Sequence, residues 1–190
     1  MFLNVPFDKT YESLFIALVS SLVAIGRVPR CVLELPELGQ GRLARILRLI
    51  RSCGVSIHDL SRVGLPVRFN MPFELGIAVA LARVQGGHKF IVLEAERHRL
   101  VRTLSDVNGI DPGIHGGKSS GVVSCVFSHL GRPHGNPPVE EATSIFRKLQ
   151  SAAPNLKKTH GRSSIYSRAI FRELFESAIR LATERNLVEG

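Results

Sequence analysis

The fold is decided between Val55 and Glu94. Val55-Ser56-Ile57-His58-Asp59-Leu60 has the pattern of a buried strand, Phe73 to Val84 (FELGIAVALARV) that of a helix apolar on nearly every face, and Lys89 to Glu94 (KFIVLE) that of a second strand. Strand, buried helix, strand is the repeating unit of a parallel α/β sheet. The alternation continues upstream. Phe2-Leu3-Asn4-Val5 reads as a strand ended by Pro6, and Thr10 to Ile25 as a helix stopped by Gly26. Pro29 to Leu35 (PRCVLEL) reads as a strand, and Arg42 to Cys53 as a helix stopped by Gly54. Downstream, Gly121 to Ser128 (GVVSCVFS) reads as a fifth strand. Right-handed crossovers then predict a flavodoxin-like, doubly wound, five-stranded parallel sheet of order 2-1-3-4-5.

This α/β domain is expected to occupy residues 1–130. Gly131 to Pro138 is a loop, and residues 131–190 form a C-terminal helical extension packed on the same domain. Its helices are expected at Val139 to Ser151 and Ser164 to Arg185, with a polar, basic stretch from Pro154 to Ser163 between them. The last helix has a broad apolar face that includes Leu174, Phe175, Ala178 and Ile179. Packing onto its own sheet is the expected use; a homodimer interface is the alternative.

Composition narrows the function classes. The chain has 190 residues, 44% hydrophobic, with 25 Lys and Arg against 16 Asp and Glu, a net charge of +9. A core is within reach and wholesale disorder is excluded. No apolar run reaches the roughly 18 residues that span a bilayer. Leu14 to Ile25 follows Asp8, Lys9 and Glu12, and so makes a poor signal peptide. Three scattered cysteines, Cys31, Cys53 and Cys125, argue against a disulfide framework or zinc site and fit a reducing cytoplasm. The charge raises the question of nucleic acid. The basic residues are spread over both halves, however, and with two Tyr and no Trp there is little to stack bases. Arg42, Arg45, Arg48 and Arg51 form a helical stripe, read as a solvated face rather than a binding stripe. Nucleic acid and membrane are therefore not expected as partners.

Ligands of open parallel sheets bind beyond the carboxyl ends of the strands. That rule gathers Asp8, Glu34, Asp59, Glu74 and Glu94 at one edge. Glu74 follows Pro72, which suits a first helical turn, so the helix dipole would favour its carboxylate. Glu is also common in first turns for no functional reason. Asp59 ends a buried strand, in the position of a catalytic acid or of a loop cap. His58 alternates to the opposite side of that strand. Arg62 and Arg68, in the loop before Glu74, suit an anionic ligand, and Asn70 suits a helix cap or a sugar contact. Leu104 to His115 (LSDVNGIDPGIH) reads as a capping loop, since it lacks the spacing and flanking helices of a calcium site. No metal site, dinucleotide fingerprint, phosphate loop or Gly-x-Ser-x-Gly elbow is present.

Asn4-Val5-Pro6-Phe7 after the first strand, the acid ending the third, and Phe73-Glu74-Leu75-Gly76-Ile77-Ala78 together resemble the nucleoside 2-deoxyribosyltransferase superfamily, whose layout is shared with Toll/interleukin-receptor type NAD-cleaving domains. The resemblance covers roughly residues 1–95. It implies Glu74 as nucleophile and Asp59 as the acid that orients the sugar or handles the proton. It implies that Val5-Pro6-Phe7 shapes the sugar and base pocket. Together with the strand-end rule, the expected substrate-binding residues are Asn4, Pro6, Phe7, Asp8, Glu34, Ser61, Arg62, Arg68, Asn70 and Met71. The family usually has an Asp six residues before its nucleophile. Arg68 stands there in this chain, and Asn70-Met71 replaces the small Gly-Thr element, which suits a phosphorylated ligand. The expected function is therefore an N-glycosidase or N-glycosyl transferase cleaving the base–ribose bond of a nucleoside monophosphate or NAD, with no cofactor of its own. The alternatives are a nucleotide sensor without turnover and, third, a basic interaction or nucleic-acid-binding protein.

Overall fold

Four parallel strands form the sheet of the computed structural model, which describes residues 1–35, 41–62, 69–84, 86–104, 109–132 and 135–188. They are β1 (Phe2–Asn4), β2 (Val55–Asp59), β3 (Lys89–Glu94) and β4 (Gly113–Ile114), in the spatial order β1-β2-β3-β4. Asn4 pairs with His58, Asp59 with Leu93, and Glu94 with Ile114, so the carboxyl ends of all four strands fall along one edge. The helices are α1 (Glu12–Ala24), α2 (Arg42–Ser52), α3 (Asn70–Val84), α4 (Arg99–Thr103), α5 (Ser119–His129), α6 (Val139–Thr159) and α7 (Arg168–Thr183).

The chain divides into two compact units. The first comprises residues 1–6 and 30–117, the second residues 7–29 and 118–190.

In the first unit, α3 lies against the sheet and splits its core in two. Ala78, with the half-buried Ile77 and Leu81, packs with Phe2 and with Ile46, Leu49 and Ile50 of α2. Met71 and Leu75 pack with Leu60, Val92 and Leu100. Both sets follow helical spacing, which is why a helix with little amphipathic contrast buries two neighbouring faces. After α3, Gly86 and Gly87 turn the chain into β3 at φ of 67° and 74°, a region costly for side-chain-bearing residues. Of the arginine stripe on α2, Arg42, Arg48 and Arg51 are exposed and Arg45 is half-buried.

In the second unit, α1 is buried almost throughout and packs with α5, α6 and α7. Ser20 and Ser21 are accommodated by donating their hydroxyls to the carbonyls of Ile16 and Ala17, at 2.8 and 2.7 Å. Glu12 ties the unit together by accepting from Lys157 Nζ at 2.9 Å and from the Ile165 amide at 3.0 Å.

The structure corrects several expectations. Residues 121–128 are not a strand but the body of α5. Val122, Val123, Cys125 and Val126 are buried while Ser120, Ser124 and Ser128 are exposed, a helical pattern. The expected strand at 29–35 is reduced to one parallel bridge, Phe2 with Arg30, followed by a 3-10 turn at Val32–Glu34. The sheet accordingly has four strands rather than five, and the last is the short β4, inside what read as a loop. Helix α3 begins at Asn70 rather than Phe73. Helix α6 runs through Pro154 to Thr159, carried by the buried stripe Ala142, Ile145, Leu149 and Ala153.

Candidate functional site

The carboxyl edge of the sheet carries a row of buried polar side chains: Asn4, Asp59, Glu94 and, one residue past β4, His115. Strand alternation sends Asp59 and its neighbour His58 to opposite sides. The two accordingly belong to different hydrogen-bond networks.

Asp59 is fully buried. Its Oδ1 accepts from the Ser61 amide at 2.9 Å and from the Ser61 hydroxyl at 2.5 Å. Its Oδ2 lies 3.2 Å from His115 Nε2, which is also 2.8 Å from Ser61 Oγ. The Gly117 amide donates to His115 Nδ1 at 3.0 Å. An N–H pointing at Nδ1 requires a lone pair there, so the neutral ring carries its proton on Nε2, facing Asp59 and Ser61. Beside this group, Glu94 is held by Arg99. Arg99 Nε donates to Oε2 at 2.6 Å and Nη2 donates to Oε1. That pairing, with the further charges of Glu96 and Asp59, raises the guanidinium above its ordinary value. The region thus holds two acids, each already paired to a proton-bearing or cationic neighbour.

The opposite side of β2 carries a second chain whose polarity is set by its ends. Asn4 Nδ2 donates to the Met71 carbonyl at 3.0 Å and lies 3.0 Å from His58 Nδ1. His58 Nε2 lies 2.8 Å from Ser56 Oγ, which lies 2.9 Å from His88 Nε2; His88 Nδ1 lies 2.9 Å from the Cys53 carbonyl. A carbonyl only accepts, so His88 Nδ1 donates and its Nε2 accepts from Ser56. Ser56 then accepts from His58, and His58 accepts from Asn4. Every group is satisfied with both rings neutral. Burial pushes His58 down to about 3, with the neighbouring His88 adding to the shift.

Glu74 stands apart from both networks. It is the fifth residue of α3 and 4% exposed, on the face of the helix next to Asn70 and Ala78. Burial pushes its carboxyl above the usual range; the positive charge of Arg42 and a hydrogen bond with Asn70 pull it back. The expectation that Glu74 lies in the first turn is corrected by the earlier start of α3. The helix dipole fades beyond that turn, so Arg42 and Asn70 do the stabilising instead.

Of the expected pocket, the structure joins Asp59 with Ser61, Asn70 with Glu74, and Asn4 with Met71. The groups that act on the Glu74 carboxyl are Asn70 and Arg42. Glu34 folds back on its own turn, accepting from Arg30 Nε at 2.6 Å and the Cys31 amide at 2.7 Å. Pro6 is buried, and Arg62 is half-buried next to Ser61. Arg68 lies outside the described residues. Phe7 and Asp8 belong to the second unit. There Phe7 packs on Tyr166 with ring centroids 5.3 Å apart, and Asp8 Oδ1 caps a 3-10 turn by accepting from the Thr10 and Tyr11 amides, each at 3.2 Å. Sequence reasoning missed His115 and Arg99. Placing β4 at 113–114 would have brought His115 to the carboxyl edge by the same rule that found Asp59.

The three cysteines are free and buried, and burial pushes the Cys31 thiol up, away from reactivity. Among the described residues no group of His, Cys, Asp and Glu side chains is arranged to hold a metal ion, and no helix is long and apolar enough to cross a membrane. No protein-family model, curated protein or solved structure matches this chain.

Proposed function

We propose that this protein is an N-glycosidase or N-glycosyl transferase that cleaves the base–ribose bond of a nucleotide, a nucleoside monophosphate or NAD, with Glu74 as the attacking carboxylate. The observation that carries the reading is the setting of Glu74: a buried carboxyl on the helix that follows β2, held by Asn70 and the charge of Arg42. A poorly hydrated carboxylate is a better nucleophile, and the nearby cation favours its ionised form. The resemblance to the nucleoside 2-deoxyribosyltransferase and Toll/interleukin-receptor type layouts supports the same residue. The parallel bridge of Arg30 to Phe2 supports a flavodoxin-like order 2-1-3-4-5, with Arg30 as the remnant of strand 2.

In the reaction, the Glu74 carboxylate forms a bond to C1′ as the C1′–N bond breaks, through an oxocarbenium-like transition state. The base leaves with the bonding pair. A purine takes up a proton, whereas nicotinamide departs neutral without one. Water, or a second base, then attacks C1′ and frees Glu74. The resemblance gives Asp59 the role of holding the sugar or assisting proton transfer to the base. Purified protein incubated with NAD and nucleoside monophosphates should release free base, detected by chromatography, and Glu74→Gln should abolish the release.

A second reading, a nucleotide-binding module without turnover, is favoured by one observation. Both oxygens of Asp59 are occupied by Ser61 and His115, which leaves it poorly placed to protonate a departing base. Tight nucleotide binding that survives Glu74→Gln, with no base released, supports that reading.

A further inference from the structure

The second unit contains a cavity of about 590 Å³, within the roughly 300–1,000 Å³ typical of small-molecule sites. Its walls are apolar: Val23 and Ile25 at the end of α1, Val28 beyond it, Phe175 and Ile179 on α7, and Leu187. Arg27 and Arg132 are the charged residues that line it.

Arg132 is fixed in place. Its Nη2 donates to the Ala24 carbonyl at 2.6 Å and to the Leu187 carbonyl at 2.6 Å. Its amide donates to Asn136 Oδ1 at 3.0 Å, and Asn136 Nδ2 in turn donates to the Phe127 and Leu130 carbonyls at 3.1 and 3.0 Å. All of these acceptors are neutral. Among the described residues neither Arg132 nor Arg27 has a carboxylate partner, and Nε and Nη1 of Arg132 make no hydrogen bond. Among the described residues, three of its five N–H donors are thus without an acceptor. Gly26 lies beside the guanidinium, and its positive φ is what calls for glycine there. It closes α1 with the Gly26 amide on the Val23 carbonyl at 2.9 Å and the Arg27 amide on the Leu22 carbonyl at 2.8 Å, at a φ of 72°. A Cβ there would sit 3.4 Å from Arg132 Nη2.

An anchored guanidinium without a carboxylate partner among the described residues, over apolar walls and with a second arginine beside it, is complementary to one ligand chemistry. We propose that this cavity binds a carboxylate carried on an apolar body, either a medium-chain acyl carboxylate or an aromatic one. The carboxylate takes the open donors of Arg132 and the charge of Arg27. The apolar body covers Phe175, Ile179 and Leu187, whose burial drives the binding. The site belongs to the second unit and does not depend on the proposed glycosidase activity.

Titration calorimetry of the full chain with decanoate, 4-phenylbutyrate and decanol tests this. Saturable binding of at least one carboxylate, with decanol about tenfold or more weaker, is the expected result. The stronger of the two carboxylates identifies the body the walls accept. Arg132 also holds two carbonyls, so its removal endangers the fold. The informative variants are therefore Arg27→Gln, at an exposed position, and Ile179→Trp, which fills the cavity. Arg27→Gln should weaken the carboxylate several-fold, and Ile179→Trp should abolish binding while leaving the thermal melt cooperative. Absence of saturable binding by either carboxylate, or binding indifferent to Ile179→Trp, overturns the proposal. So does self-association that Ile179→Trp blocks in the absence of carboxylate binding, which assigns the cavity to a second copy of the chain.

Discussion

Ser61 gives its hydroxyl proton to Asp59, 2.5 Å away, and not to His115. The ring cannot serve as its base, because Nδ1 is occupied by the Gly117 amide and Nε2 carries the proton. A serine, a histidine and an aspartate within hydrogen-bond reach are thus wired in the wrong order for nucleophilic catalysis, which needs the serine proton to fall on the histidine. A serine-directed fluorophosphonate should leave Ser61 unmodified by mass spectrometry. Ser61→Ala should lower stability by about 1–3 kcal/mol, since buried Asp59 loses a hydroxyl donor. Covalent labelling at Ser61 contradicts this wiring.

Asn4 was expected to meet the substrate, but its amide nitrogen already serves two acceptors, the Met71 carbonyl and His58 Nδ1. It joins the end of β1 to the start of α3. Asn4→Ala leaves His58 Nδ1 buried without a donor and removes the side-chain bond to the Met71 carbonyl, which keeps its place in the α3 ladder, and should cost about 1–3 kcal/mol in urea denaturation. Unchanged stability would show that the joint contributes nothing.

His58 makes the protein sensitive to acid. Burial holds it down to about 3, against 6.5 for an ordinary histidine. Between those values the unfolded chain binds a proton at this position and the native one does not. Stability therefore falls as pH drops, by up to about 1.4 kcal/mol per pH unit from this group. His58→Gln removes that slope. Between pH 6 and 4 the wild type should lose stability more steeply than the variant in matched urea titrations. Parallel curves would contradict a neutral His58.

Glu74 acts in the opposite sense. Its folded carboxyl lies above the unfolded value, so above about pH 4 the native state holds a proton that the unfolded chain releases. Stability falls as pH rises through that window. Glu74→Gln should therefore melt higher than the wild type at pH 7, by roughly 2–4 °C for each kcal/mol gained, with the gap closing towards pH 4. A variant less stable at neutral pH would show that the ionised carboxylate supports the fold.

The parts of the fold that could be read from sequence were those whose period was unambiguous. Val55–Asp59 and Lys89–Glu94 are short, β-rich and bounded by breakers, and they form β2 and β3 at nearly the expected limits. Residues 121–128 have the apolar density of a buried strand, and the helix shows only in the serines four apart at 120, 124 and 128. Pro72 misled by one position class. The first helical residues need no N–H, so proline is tolerated anywhere in the first turn and does not mark where it starts. The carboxyl-edge rule brought out Asp59 directly. His115 was hidden because a two-residue strand leaves almost no pattern.

The central claim is that Glu74 attacks the anomeric carbon of a nucleotide. Its most direct test is chromatography of free base after incubating wild-type and Glu74→Gln protein with NAD and with nucleoside monophosphates, at pH values spanning the carboxyl titration. Base release should rise with pH as Glu74 ionises and fall roughly 10³-fold or more in the variant, with the variant still folded. Equal release by the two proteins, or none by the wild type at any pH, contradicts the claim.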